Sequence, residues 1–421
     1  MSYDFNNTKD LWTRLKSESR PVLLYGIGNG ADKIFDVCRD YGIEILGVFA
    51  SDGFVTKSDG RRRIFRDMTI MSYNEARDKF KCRDYVVLLC FASRIPEVID
   101  TICRIAEERE LLVPDVPVCP DSELFTAEFC RRNSDHINKA RELFSDAESL
   151  RIFDGIIKAR LTGSISALLE ASSEKANSGE KLLSFERYQT YADLGAYNGD
   201  TIAELIDKAT ALQKIYAVEP DKKTFKKLSS FCNGLSVKFK GKSIKPEFCV
   251  LPLGQTDISS QPKVYNSLSI CENFDHEDRC CEILLYNAAV WNQNGKLGFF
   301  GNGNRGSGSF CHALNGKKDS ETICAVTLDS ILDGQRVDYI KYDVEGAEME
   351  ALEGSRKTIQ KFMPDICLSL YHRSEDIFSL PLALNKMEPG YSLYLRRKRC
   401  LPAWEINLYA IKQQSLKNID K

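Results

Sequence analysis

In this chain of 421 residues, the side chains best placed to do chemistry are acids at the ends of apolar runs. The run TYADLGAYNGDTIAELI begins at Thr190; it sets Asp193 just ahead of Gly195, and Gly199 opens the amphipathic stretch that follows. A second run, KIYAVEP, ends in Glu219 and Pro220. An acid placed like Asp193 can reach a cationic amino group on a ligand. Glycines at 195 and 199 let the backbone approach that ligand with no Cβ in the way, and Glu219 is placed to hydrogen-bond a ribose diol. An acid beneath the phosphates of a dinucleotide would be repelled by them, so Asp193 favours a ligand with an ammonium group and a ribose but no phosphate. Singly, each acid has an ordinary explanation as a cap or a helix start. In this order, at successive strand ends, they point to a cofactor site.

A second group lies further on. IKYDVEGAE carries Asp343, Glu345 and Glu348, and the run DICLSLYH ends in His372, one of four histidines. A reaction at a hydroxyl needs a group to take its proton, and Asp343, His372 and Glu345 are the candidates. The ordinary pKa of histidine suits that task near neutral pH, although a satisfied structural histidine fits equally well. Glu348, in a first helical turn, is expected to favour the helix dipole and act structurally. Lys341, two residues before Asp343 on a strand, faces the same side and can orient or pair with it. Asp343 with Glu345 could hold a divalent cation for a sugar diol; the zinc-type residues Cys271, His276, Cys280 and Cys281 match no standard ligand spacing. No metal site is assigned, and the second group is read as a surface helix after a loop.

These residues need a scaffold of alternating strands and helices. Strand–glycine–helix units recur, which makes the fold α/β, with doubly wound, mostly parallel sheets. The reading divides the chain into an N-terminal Rossmann-like domain (1–120), a helical connector (121–183) and a larger α/β domain (184–421) that closes with an antiparallel C-terminal hairpin. The stretch 234–281 resists assignment and is a candidate substrate cap. The glycine-rich Gly301–Ser309 reads as a hairpin turn or a lid offering Arg305. Net charge is −2, with 43% hydrophobic residues, so bulk charge gives no reason to expect nucleic acid or an anionic membrane as partner. No apolar run reaches the length of a membrane span. The N-terminus is not a signal peptide, and the fifteen cysteines form no CxxC pair. A cytoplasmic protein with reduced thiols is expected.

Residues 185–412 resemble the FkbM-type methyltransferases in several ordered segments: ADLGAYNGDT, IYAVEPDKKTFKKL, NAAVW, VTLDSIL with VDYIKYDVEGAEMEALEGS, PDICLSLYHRSEDIFSLPLAL and EINLYAI. The resemblance implies a class I methyltransferase sheet and S-adenosylmethionine as cofactor. It implies a methyl acceptor that is a hydroxyl, often of a sugar, glycan or secondary metabolite. It places Asp193, Gly195, Asn198, Gly199, Thr201 and Glu219 on the cofactor, with Tyr197 and Pro220 in the same turns, Asn287 and Ala288 near the adenine, and Asp343 near the reacting sulfonium.

The chain holds a second glycine turn, VLLYGIGNGADK, from Val22 to Lys33, with Asp52 following at the end of the next strand. It supports a competing reading, an NAD(P)- or nucleotide-sugar-binding protein working from Gly26–Gly30 with an inert methyltransferase fold. A lone glycine pattern is weak support. The unit resembles the small N-terminal domains of sugar-modifying enzymes, so it is read as an accessory turn for a nucleotide sugar, with Arg61–Arg63 as phosphate contacts, or as a structural one.

Overall fold

The computed structural model describes residues 3–82, 84–175, 177–238, 266–274, 277–301, 308–311 and 321–412. The chain forms two units. The first comprises Met1–Pro117, Asp121–Ser178 and Leu395–Ile406; the second comprises Val118–Pro120, Gly179–Tyr394 and Asn407–Lys421.

The first unit is built on four parallel strands, β1 (Val22–Tyr25), β2 (Ile45–Phe49), β3 (Val86–Leu89) and β4 (Glu110–Leu112), in the order β2-β1-β3-β4. Strands β1 and β3 are buried throughout, as expected of a parallel sheet covered on both faces. Their side chains Val22, Leu24, Val86 and Leu88 pack with Trp12, Ile34 and Cys38. Gly26 adopts φ +122°. Gly30 is explained by packing: a Cβ there would collide with the carbonyl oxygen of Cys90, so glycine lets the helix Asn29–Tyr41 lie close on the sheet. Asp32 sits in the first turn of that helix and pairs with Arg66 at 2.9 Å. Its charge occupies the end of the dipole that would otherwise attract a phosphate. Arg62 forms a two-pronged pair with Glu75, Arg61 pairs with Asp59, and Arg63 donates to the carbonyl of Thr56. The segment read as a connector is helical, with Ala147–Thr162 its longest element, and clusters with the first unit.

The second unit carries an eight-stranded sheet. Its strands are β5 (Thr190–Leu194), β6 (Lys214–Val218), β7 (Asn266–Phe274), β8 (Glu277–Tyr286), β9 (Tyr339–Tyr342), β10 (Asp365–Ser369), β11 (Tyr391–Arg397) and β12 (Ile406–Lys412), in the order β11-β12-β10-β9-β5-β6-β8-β7. The run from β10 to β8 is parallel, and β12 joins β10 antiparallel. This is the mostly parallel sheet closed by an antiparallel terminal strand that the sequence predicts. One expectation fails: residues 271–274 and 277–281 are not a surface helix. They fall in β7 and β8, which pair antiparallel with Cys271 opposite Cys280. Strand patterning there is masked by charge (CENFDHEDRCC), because an edge strand needs no continuous apolar face. His276 and Arg305 lie outside the described residues, as does most of the proposed cap. Around Gly301–Ser309 the flanking strands Gly295–Gly301 and Gly308–Cys311 pair antiparallel, as in a hairpin.

The core beneath the sheet joins Tyr191, Ile202, Leu205, Ile215, Ala217, Leu228, Ile283 and Tyr339. Tyr339 stacks on Tyr188 and on Tyr191, with centroids 5.3 and 5.1 Å apart. Each fully buried Leu or Ile among them contributes on the order of 1.5–3 kcal/mol, and together these side chains fix the strand that carries Asp193. Among the described residues, no helix is long and apolar enough to cross a membrane.

Candidate functional site

The carboxyl ends of β5, β6, β9 and β10 meet at one edge, where α/β sheets bind ligands. Asp193 is the penultimate residue of β5 and is fully buried. Its register partner across β9 is Lys341, whose ammonium lies 3.8 Å from Asp193 Oδ1 and 3.4 Å from Asp343 Oδ2. Lys341 therefore bridges both carboxylates, where spacing along the chain pointed to Asp343 alone. Neither oxygen of Asp193 has a partner at good hydrogen-bond geometry among the described residues, although the buried Tyr191 hydroxyl lies close enough to help Lys341 favour the ionised form. Burial raises the Asp193 carboxyl from 3.8 to about 6, with Lys341 opposing the rise. A buried carboxylate whose lone pairs are unused fits a ligand that brings a hydrogen-bonding cation.

After β5 the chain turns sharply. The N–H groups of Gly195 and Ala196 both donate to the Val218 carbonyl at 3.0 Å. Gly195 has φ +88° and Gly199 φ +91°; a Cβ on the first would collide with the Asp343 carbonyl oxygen, and on the second with the Phe231 ring. Both glycines are thus demanded by backbone shape and by close approach. Tyr197, at φ +46°, donates its N–H to Glu219 Oε2 at 3.0 Å and leaves its side chain exposed. Asn198 Oδ1 accepts from Asp200 N at 3.3 Å, and Thr201 lies in the first turn of the helix Asp200–Lys208.

Glu219 follows β6. Its carboxylate accepts from Tyr197 N and from Asp221 N at 2.8 Å, and burial raises it to about 8. Asn287 donates its side-chain amide to the carbonyls of Glu219 and Pro220 at 2.9 and 3.1 Å, so it braces that turn. Ala288 is buried beside it.

Beyond β9 and β10 lies the second cluster. Asp343 accepts from Ser369 Oγ at 2.9 Å and from Tyr371 at 3.4 Å, and 31% of its side chain is exposed. Burial opposes its ionisation, but Lys341, His372 and Ser369 outweigh that and hold its carboxyl below the ordinary value. Glu345 sits at φ +54° with 37% of its side chain exposed. Burial, opposed by His372 and aided by Asp343 and Glu348, raises it to about 7.

His372 is where the structure adds most to the sequence reading. It lies three residues past β10, is fully buried, and presents Nδ1 to Glu348 Oε1 at 2.8 Å. Burial alone would lower its pKa; Glu348, Glu345 and Asp343 more than reverse this and raise it to about 10. A histidine already protonated at neutral pH cannot accept a proton there. Asp343, Glu348 and His372 are close enough to share a metal ion, but Glu348 and His372 spend the facing atoms on each other. Both Glu348 oxygens also accept backbone N–H groups, from Val344 and Gly346 at 3.0 Å. The trio is closed as an ion pair. Spacing gave no sign of this pairing, because Glu348 and His372 stand 24 residues apart and meet only through the register of β9 and β10.

The fold and the acidic, glycine-lined strand ends define a class I methyltransferase sheet. Residues 193–389 match the family model described as the methyltransferase FkbM domain, and these residues form an FkbM methyltransferase domain. The crystal structure of methyltransferase FkbM from Methylobacillus flagellatus KT is similar in fold, with TM-score 0.64 and 18% identity over 95% of this chain and 92% of that one. An SAH-bound methyltransferase from Podospora anserina (11% identity, 76% and 96% covered, TM-score 0.27) and a putative O-methyltransferase from Klebsiella pneumoniae (10%, 68% and 99%, TM-score 0.29) are too distant to argue from. The comparison with curated proteins finds no match.

Proposed function

We propose that the chain is an S-adenosylmethionine-dependent methyltransferase acting on a hydroxyl of a sugar, glycan or secondary metabolite. The observation that carries the cofactor is Asp193, a fully buried carboxylate at the carboxyl end of β5 whose oxygens make no well-formed hydrogen bond among the described residues and whose nearest cation, Lys341, stands 3.8 Å away. It suits the ammonium of a methionine moiety. Glu219, aimed by two backbone N–H groups, suits a ribose diol, and Gly195 and Gly199 let the turn between them pack against the Asp343 carbonyl and the Phe231 ring. The cofactor, when bound, supplies an electrophilic methyl group.

The protein's share of such a transfer is alignment and proton removal. Asp343 is held ionised by Lys341 and Ser369 and suits the neighbourhood of a cationic sulfonium. Glu345, raised to about 7 and reaching solvent, is the better base for the acceptor hydroxyl. Assignment of the acceptor rests on the family resemblance.

Thermal-shift and calorimetric titration with S-adenosylmethionine, its demethylated product, NAD and NADP test the cofactor. Stabilisation by the first two supports the proposal. Stabilisation by a nicotinamide cofactor alone overturns it in favour of the N-terminal turn. Incubation of glycans and nucleotide sugars with labelled methyl donor then identifies the acceptor; label appearing on nitrogen or carbon instead of oxygen refutes the hydroxyl assignment.

A further inference from the structure

The cluster beyond β9 contains a histidine whose hydrogen-bonding possibilities can be enumerated. His372 Nδ1 faces Glu348 Oε1 at 2.8 Å. Its Nε2 faces Glu345 Oε2 at 3.5 Å and Asp343 Oδ1 at 3.7 Å. A neutral ring carries one proton. With the proton on Nδ1, the Nε2 lone pair points at two carboxylates; with it on Nε2, the Nδ1 lone pair sits against a carboxylate at hydrogen-bond distance. With the facing acids ionised, both neutral forms place a lone pair against negative charge at a site that is 1% exposed. The doubly protonated ring donates toward carboxylates on both sides.

From this geometry we infer that His372 is a buried, permanently charged positioning residue, locked by Glu348 and holding the Glu345 and Asp343 carboxylates over the methyl-transfer site. The inference rests on the reading of Glu345 as the base.

Glu348 is the anchor. Its two oxygens take the N–H groups of Val344 and Gly346, so one side chain fixes the turn that carries Glu345 at a positive φ and also fixes the ring that faces it. Arg373 Nε adds a bond to the Gly346 carbonyl at 2.9 Å. The main chain of the residue is held too: the His372 carbonyl accepts from the N–H groups of Val118 and Cys119 at 3.1 and 3.3 Å, and the Tyr371 ring packs on the imidazole with centroids 4.2 Å apart. The titratable groups around His372 are therefore Glu348, Glu345 and Asp343 from the turn after β9, with Lys341 behind Asp343. From the helix Asp376–Met387 comes the buried Asp376, which accepts from Arg373 N at 2.8 Å and is itself raised to about 8 by burial. The pKa of about 10 for the ring agrees with the geometric argument.

The experiment uses the full chain labelled with ring-¹⁵N histidine; there are four histidines, and His372→Gln assigns the signal. The expected result is an imidazolium signature, with both nitrogens protonated, that persists through pH 8. In Glu348→Gln the same signal should titrate at least tenfold more easily, its midpoint moving toward neutrality. A neutral-ring signature at pH 7 in the wild-type chain overturns the inference outright. An unchanged midpoint in Glu348→Gln overturns the anchoring role. If that variant does not fold, Glu345→Gln, at an exposed side chain, supplies the second reading: the midpoint should fall there too, and no change removes the coupling to Glu345. None of these signals depends on cofactor or acceptor, so failure of the proposed function would appear separately, in the S-adenosylmethionine titration.

Discussion

Replacing Asp193 with Asn separates binding from folding. The substitution keeps the shape of the side chain and removes its charge. In the complex it would lose a charge-assisted hydrogen bond to the ligand ammonium, of about 1.5–3 kcal/mol, so the dissociation constant for S-adenosylmethionine should rise roughly 10- to 150-fold. In the free protein the sign reverses. The folded state raises the Asp193 carboxyl from 3.8 to about 6, so the folded protein holds the proton longer than the unfolded chain does. Stability is therefore lost as pH rises from about 4 to about 6, by about 3 kcal/mol in all. Asn relieves that cost, partly offset because Lys341 then keeps only Asp343 as a partner. The variant should bind poorly while melting no lower than the wild type at pH 7.5. Calorimetric titration measures the first effect and chemical unfolding the second. Methylthioadenosine, which lacks the amino-acid moiety, provides the control, since its affinity should not change. Equal losses for S-adenosylmethionine and methylthioadenosine would show that the site was damaged generally. Unchanged affinity for S-adenosylmethionine would show that Asp193 does not face the ammonium, and either result refutes the reasoning.

The remaining predictions concern neighbouring groups. Glu219 is raised to about 8, and a ribose diol favours its ionised form, so affinity for S-adenosylmethionine should increase with pH between about 6 and 8; Glu219→Gln should flatten that dependence and weaken binding by about 1–2 kcal/mol, read by titration across pH. Gly195→Ala forces a Cβ against the Asp343 carbonyl at a positive φ, costing about 1–2 kcal/mol for the backbone alone and more for the collision; the melting temperature should drop sharply, and an unchanged melt would mean the turn is wrong. With the acceptor identified, Glu345→Gln should lower turnover by roughly 10²–10⁴-fold with the cofactor dissociation constant nearly unchanged. In the wild type the base must be ionised, so turnover should fall as pH drops below about 7; a flat profile there removes Glu345 as the base.

What could be read from the sequence was local, and what could not was set by register. Asp193, Gly195 and Gly199 were legible because a strand end, a turn and a helix start are adjacent in the chain, and each needs particular residues for reasons of backbone shape. Glu219 was legible for the same reason, one strand later. The edge strand β7 and the adjoining start of β8 were not, since their charged, cysteine-rich run has neither a clean two-residue alternation nor an apolar face. Nor was the double role of Lys341, which depends on its standing opposite Asp193 in the β5–β9 pairing.

His372 shows most clearly why residue type alone misleads. Its ordinary pKa made it an attractive base, but a side chain's proton affinity is a property of its surroundings. Those surroundings come from a turn that the chain reaches before β10 is even formed. Once β9 and β10 align in parallel, with Tyr339 opposite Asp365 and Tyr342 opposite Leu368, the residues that follow each strand are brought to the same edge. Three acids from one turn then meet one imidazole from the next. On the proposed reading, the histidine is the cation that lets those acids share a buried corner, and the proton-accepting role falls to Glu345, the most solvent-open carboxylate of the three.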